Sequence, residues 1–112
     1  MPTIRRTATL LGFLALTASA GQAQTLSAQE VVSLHAGQCI SYWGPSRGSQ
    51  CFGADGTTSF RDRRHGTGAG RWEMRGNEMC VRWDGDADWD CGPIWRVDAE
   101  TFTDGEYSCR LN

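Results

Sequence analysis

The chain has 112 residues, of which 21% are charged, with five cysteines and a formal net charge of −2. A chain of this length supports one small domain with a modest core, which cross-links help to stabilise. Its mild acidity argues against nucleic acid or an anionic membrane surface as a partner.

Residues 1–23 have the features of a signal peptide. Arg5-Arg6 supply a positively charged start, and Leu10–Leu16 form an apolar run that is too short to span a bilayer. Small residues permit cleavage after Ala20 or Ala23. The alternative, an N-terminal anchor that is never cleaved, stays open. Because no lipobox cysteine follows the run, we expect a periplasmic or secreted protein.

Cleavage after Ala23 leaves a single β-domain over residues 24–112. It contains nine arginines and thirteen acidic residues, which gives a net charge of −4. This domain opens with a complete helix-start signature. Ser27 is the expected N-cap and Glu30 falls at the third helical position, which predicts a capping box. Gly37 suits the left-handed position that follows a last helical turn.

The rest of the chain predicts about six to eight short strands, typical of an antiparallel meander that curls or closes into a small barrel. Residues 61–70 are expected to form a polar, glycine-rich loop. Gly92-Pro93 should interrupt strand pairing, because proline has no amide to donate. The predicted fold class is therefore all-β, antiparallel and disulfide-linked, with a short N-terminal helix.

The centre of the domain is predicted to be three antiparallel strands over residues 68–91. Gly76-Asn77 suits a two-residue hairpin turn, which sets Arg75 opposite Glu78. Side chains alternate between the two faces of a strand. One face of the hairpin is then apolar and carries Trp72, Met74, Met79, Val81 and Trp83. The other face is polar and carries Arg71, Glu73, Arg75, Glu78, Cys80 and Arg82.

A second two-residue turn is predicted at Gly85-Asp86, and it sets Arg82 opposite Trp89 on the polar face. The same register turns Asp88 and Asp90 toward the apolar face, where carboxylates are unfavourable. Either these two acids lie in water at an open end of the sheet, or a bulge shifts the register.

The cysteine pattern favours disulfides, because the protein is expected outside the cytoplasm and has no C-x-x-C spacing for zinc or redox chemistry. The register sets Cys80 opposite Cys91, within reach of a disulfide. Cys39 pairs with Cys51 if a three-residue turn or a bulge joins their strands, and with Cys109 if the last strand lies beside the first. We favour Cys39–Cys51, which leaves Cys109 for a disulfide dimer or as a buried, inert thiol.

Four stretches carry a resemblance to a known group: residues 52–57, residues 70–72, residues 76–83 and Cys91. Together they resemble small exported proteobacterial proteins that are assigned to domains of unknown function. The resemblance implies a capped helix, a β-meander and export, and it implies no activity or catalytic residue. The chain departs from the usual form by its additional cysteines, Cys39, Cys51 and Cys109.

The predicted binding residues are Arg82, Trp89, Arg71 and Trp43. Trp89 is expected to form a cross-strand cation–π pair with Arg82, with Arg71 in the same row of the sheet. Trp43 would cover an end of the sheet. Tryptophan and arginine often carry interface energy. The alternative is that the helix covers this face and Trp89 packs beneath it.

The sequence predicts a protein that is not an enzyme and holds no cofactor or metal. It contains no G-x-S-x-G or H-E-x-x-H motif, and His35 is expected to interact with the helix dipole. The main function predicted is a binding module for a protein or a cell-envelope component. The alternatives are an inhibitor of an envelope-attacking hydrolase, by analogy of fold, and a small hydrolase that uses carboxylates of residues 84–90. The basic residues 61–65 could bind a phosphate or an acidic glycan, although such loops are usually only solvated.

The alternating acids of residues 84–88 resemble the start of a calcium loop, but Trp89 and Trp95 occupy the positions that require glycine and glutamate. We therefore expect no micromolar calcium affinity by titration calorimetry. Tight binding that disappears in Asp86→Ala would contradict this expectation.

Overall fold

The computed structural model describes residues 24–112; the predicted signal peptide, residues 1–23, lies outside the described residues. The described chain forms one helix, α1 (Ala28–His35), and ten short strands. In chain order the strands are β1 (Gln24–Thr25), β2 (Gln38–Trp43), β3 (Gly48–Phe52), β4 (Thr57–Asp62), β5 (Gly66–Arg75), β6 (Glu78–Trp83), β7 (Asp90–Pro93), β8 (Trp95–Arg96), β9 (Phe102–Thr103) and β10 (Ser108–Leu111).

Helix α1 begins as the sequence predicts. The Ser27 side chain accepts a hydrogen bond from the Glu30 amide, and the Glu30 carboxylate accepts one from the Ser27 amide, which confirms the capping box. After the helix, Gly37 has a φ of 75°, and its amide donates to the carbonyl of Phe52 at 2.7 Å. No helix within residues 24–112 is long and apolar enough to cross a membrane.

All strands pair antiparallel in one sheet with the order β1-β8-β9-β10-β2-β3-β4-β5-β6-β7. Strand β7 lies at one edge of this order and β8 lies next to the other edge, yet only Ile94 separates them in the chain. The carbonyl of Ile94 also accepts a hydrogen bond from the Leu26 amide at 2.8 Å. The sheet is therefore nearly closed and barrel-like, and the chain itself joins its two edges.

The predicted register of the central hairpin is confirmed from Arg75 opposite Glu78 to Arg71 opposite Arg82. Trp72 and Met79 on the apolar face are 7% and 8% exposed. Cys80, on the other face, is nonetheless fully buried. Something on the outside of the sheet must therefore cover it.

The expected loop over residues 61–70 is wrong, since these residues form the turn and the adjoining parts of β4 and β5. The glycines there allow close packing instead of flexibility. A Cβ on Gly68 would lie 2.3 Å from the Phe60 ring, and one on Gly70 would lie 2.3 Å from the Arg82 carbonyl oxygen. Each glycine thus leaves room for a residue of the neighbouring strand.

Strands β6 and β7 pair in the predicted register, and Asp90 opposite Val81 is the pair nearest to the second turn. Pairing ends there, so Arg82 and Trp89 are not ladder partners. Within the turn, the Asp86 amide donates to the Trp83 carbonyl at 2.9 Å. Both Asp88 and Asp90 are exposed, as expected for the open end of a sheet.

The expectation that Gly92-Pro93 interrupts pairing is wrong. Gly92 still pairs with Met79 and Pro93 with Glu78, and the break falls at Ile94. A proline is tolerated here because β7 is the last strand of the sheet order and needs amide donors on one side alone.

Both predicted disulfides are present, Cys39–Cys51 across β2 and β3 and Cys80–Cys91 across β6 and β7. Cys39 lies directly opposite Cys51, in a register whose last pair is Tyr42 with Gly48, which leaves five residues, 43–47, to connect the strands. Cys109 is a free thiol that is 7% exposed. Its burial favours the inert thiol over the disulfide dimer.

The core fills the end of the barrel that α1 covers. It consists of Leu26, Val31, Ile40, Phe52, Trp72, Met79, Ile94, Phe102 and Cys109. The helix thus packs against the inside of the sheet, and the outer face of β5 to β7 stays free of it.

Two glycines make a matched test of this packing. In Gly70→Ala the new methyl group meets the backbone of β6, so we expect a loss of about 2 kcal/mol in the free energy of unfolding. In Gly92→Ala the methyl group meets nothing within 4 Å, so stability should stay equal or rise slightly. Urea denaturation of both variants measures the difference, and equal stabilities would contradict the close approach at Gly70.

Candidate functional site

The sheet encloses a half-open cavity of about 490 Å³. Its inner end, below α1, is lined by His35, Ile40, Phe52 and Phe102. Its outer end opens between β7 and the β9–β10 hairpin, where the lining changes to half-buried rings and exposed acids. The cavity therefore has an apolar interior and a polar opening.

His35 closes the inner end and is 2% exposed. Its ring lies 4.8 Å from that of Phe52 and 5.2 Å from that of Phe102, and Nδ1 lies 2.6 Å from the carbonyl oxygen of Val31. Burial lowers the pKa of His35, although the bond to Val31 opposes the shift. The ring is therefore neutral at pH 7 and part of the core, so the expected interaction of a charged His35 with the helix dipole is wrong.

Nδ1 of His35 must carry the proton, because the carbonyl of Val31 can only accept a hydrogen bond. Nε2 is then an acceptor, and it has no hydrogen-bond partner among residues 24–112. Since Nδ1 faces its own helix, Nε2 points away from the helix toward the interior.

Asp62 organises the polar side of the opening and is 7% exposed. One carboxylate oxygen accepts hydrogen bonds from the hydroxyls of Tyr42 at 2.6 Å and Ser46 at 2.7 Å. The other accepts from the amides of Arg64 at 2.7 Å and His65 at 2.9 Å. The bond from Tyr42 is the largest of several that hold the pKa of Asp62 well below its usual range, against the effect of burial.

These bonds join three hairpins at one point. Ser46 lies in the β2–β3 turn, Asp62 begins the β4–β5 turn, and the Ser46 hydroxyl lies 3.2 Å from that of Tyr107 beside β10. Burial and the neighbouring Asp62 raise the pKa of Tyr42, so its hydroxyl stays protonated. The Asp62 carboxylate is thus ionised, both of its oxygens accept hydrogen bonds, and it acts as a brace between the hairpins. The arginines of the predicted basic loop, 61–65, are exposed around it.

Three acids surround the opening, and we call them the acidic rim: Asp90, Asp104 and Glu106. One oxygen of Asp104 accepts hydrogen bonds from the amides of Glu106 and Tyr107, both at 2.8 Å. Among residues 24–112, no arginine lines the cavity and no arginine pairs with a rim acid. His65 also lines the cavity and is exposed, so one imidazole and three carboxylates share the opening, and acidic groups predominate there.

A second feature lies on the outside of the sheet, where the Trp89 ring contacts two arginines. The guanidinium carbons of Arg75 and Arg82 lie 4.9 Å and 5.5 Å from the ring centroid. These arginines lie in the rows on either side of Cys80, so the indole lies near that row. We call Arg71, Arg75, Arg82 and Trp89 the Trp89 patch.

The predicted binding residues divide between two places. The contact of Trp89 with Arg82 is confirmed, and Arg71 lies directly opposite Arg82. Arg75 was missed, although the sequence pattern already placed it on the same face. Trp43 does not join the patch, because it lies on β2, contacts Arg110 at 5.7 Å, and is separated from β5 by two strands.

The like charges of Arg71 and Arg82 are turned apart. Nη2 of Arg71 lies 3.4 Å from the carbonyl oxygen of Asp55, and Nη1 of Arg82 lies 3.3 Å from that of Asp86. Arg75 is bonded to Glu73 at 2.6 Å. The patch thus holds two arginines against a half-buried indole, with Arg71 beside Arg82.

The acids of the calcium-like segment, Asp84, Asp86 and Asp88, are exposed. Residues 24–112 contain no group of three or more side chains placed to hold a metal ion.

Comparison with protein-family models, curated proteins and solved structures gave no match for this chain. The resemblance to small exported proteobacterial proteins therefore stays a prediction.

Replacing Asp62 tests the brace. Asp62→Asn replaces one carboxylate oxygen, which accepts two hydrogen bonds, by an NH₂ group that cannot accept any. We therefore expect the melting temperature at pH 7 to fall by about 5 °C or more. Because the pKa of Asp62 is lowered on folding, its contribution is present above the ordinary carboxyl pKa of about 4 and is lost as the pH falls below it. The gap between wild type and variant should therefore narrow on acidification.

Asp104→Asn is the control, since it removes the same charge but keeps the single oxygen that accepts both amides. Thermal melts across pH 2.5–7, a range set by the carboxyl pKa of about 4, compare the three proteins. Equal melting temperatures for both variants would show that Asp62 does not brace the opening.

Proposed function

We propose that the protein is a non-catalytic binding module that acts in the periplasm or as a secreted protein. Two disulfides using four of the five cysteines support an oxidising compartment. The predicted signal peptide, residues 1–23, supports the same location.

The observation that carries the proposal is the Trp89 patch. An indole held between two arginines offers an apolar surface with oriented donors beside it, and these residue types dominate protein interfaces. The Cys80–Cys91 disulfide cross-links β6 and β7 one row from Arg82, so less backbone freedom is lost on binding. The expected partner is a protein surface with carboxylates next to an apolar group.

The state of the other polar groups supports binding over catalysis. His35 is enclosed by rings, Asp62 is saturated with hydrogen bonds, and burial, with the charge of Asp104, raises the pKa of the Cys109 thiol to about 12. A hydrolase needs an available base or nucleophile with an orienting partner. The exposed acids of residues 84–88 lack such a partner within the described chain.

Trp89→Ala is expected to weaken capture of the partner at least about tenfold per folded molecule, because it removes the centre of the patch. The partner would be identified by cross-linking in extracytoplasmic extract, purified, and its affinity measured by calorimetry. Trp43→Ala is the matched control, since it removes another half-buried indole beside an arginine on distant strands.

Trp89→Leu separates binding from stability, since leucine keeps an apolar side chain at this position but contributes no ring face to the two arginines. The patch would be only a structural cover if both Trp89 variants melt many degrees lower while capture per folded molecule stays at the wild-type value.

A further inference from the structure

The cavity inside the sheet is not used by the proposed function, which concerns the opposite face of β5 to β7. We propose that this cavity binds a small amphipathic amine, with its apolar body among the interior rings and its ammonium group at the acidic rim. This site and the Trp89 patch are independent, so either can fail without the other.

The size and lining of the cavity suit a small organic ligand. Its volume of about 490 Å³ lies within the range of roughly 300–1,000 Å³ that is usual for such sites. Phe60 and Trp83 line it with rings 4.9 Å apart at 77°, and both are only partly buried. Aromatic faces accept both aliphatic chains and organic cations.

The charge of the opening selects a cation. Asp90 and Glu106 are exposed and have no ion-pair partner among residues 24–112, and Asp104 keeps one oxygen free of hydrogen bonds there. A carboxylate ligand would meet repulsion from all three, whereas an ammonium group would be attracted. Charge complementarity therefore decides the sign of the ligand.

The interior holds a buried acceptor without a partner, while two of its donors are already paired. The Tyr42 hydroxyl donates to Asp62, and the Gln50 amide donates to the Thr58 hydroxyl at 3.0 Å. Nε2 of His35, in contrast, is a buried acceptor without a partner in the described chain. A buried, unpaired acceptor is costly. A ligand that carries a second donor at its buried end would pair with this acceptor, while its ammonium group stays at the acidic rim.

Three six-carbon probes test the charge: hexylamine, hexanol and hexanoate. Nuclear magnetic resonance titration of the full domain follows the Trp83 indole and the Gly92 amide, which both line the cavity. We expect hexylamine to bind most tightly and hexanoate to bind about tenfold more weakly, because each exposed charge contact changes the binding affinity by a few-fold. Added salt should weaken hexylamine and leave hexanol unchanged.

Two variants locate the site. Gly92 lines the cavity opposite Met79, and a Cβ there meets nothing within 4 Å, so Gly92→Leu fills the cavity without a clash at its first atom. It should abolish binding of hexylamine and hexanol. Glu106→Gln should weaken hexylamine about threefold and leave hexanol unchanged, while Glu78→Gln, which removes an equal charge on the outer face, should change neither.

The proposal is overturned if the three probes bind with equal affinity, if none binds at millimolar concentration, or if Gly92→Leu, confirmed as folded by its spectrum, still binds hexylamine. Equal affinities would leave a cavity without charge preference. A loss in Glu78→Gln equal to that in Glu106→Gln would assign the effect to the overall charge and would also overturn it.

Discussion

Closure of the sheet by a single residue is the constraint on which the architecture depends. Ile94 ends the pairing of β7 and begins the approach to β8, so two distant sheet edges are held together by one peptide unit and its hydrogen bond from Leu26. Ile94 is itself buried in the core with Val31 of α1, so the junction that closes the sheet is also part of its packing.

The local part of the fold was predictable because short-range rules dominate it. A two-residue turn at Gly76-Asn77 leaves one register, and that register sets the faces of β5 and β6 and the reach of Cys80 to Cys91. The segment 61–70 was mispredicted because glycine indicates a loop when it is considered alone. The glycines of this segment make room for the rings of Phe60 and Trp83, and this requirement becomes visible only when the strands are paired.

The two candidate sites differ in how far the sequence could predict them. The Trp89 patch lies on adjacent strands, so alternation and one turn predicted most of it, and Arg75 was missed because the reach of an indole along a strand is not encoded in register. The cavity joins side chains from β2, β6 and the β9–β10 hairpin, which no local spacing relates. Its acids occupy turns or an edge strand, where carboxylates are common and carry little information.

The orientation of the cysteines has a consequence for oxidative folding. Each disulfide links the two strands of its own hairpin, with sequence separations of 12 and 11 residues. Each can therefore form while the chain is still an open meander. Cys109 turns inward only when β10 pairs with β2, and exchange requires a thiolate that can reach a disulfide. The closed barrel therefore keeps the odd thiol away from both disulfides, and reshuffling of the native pairs requires β10 to leave β2 first.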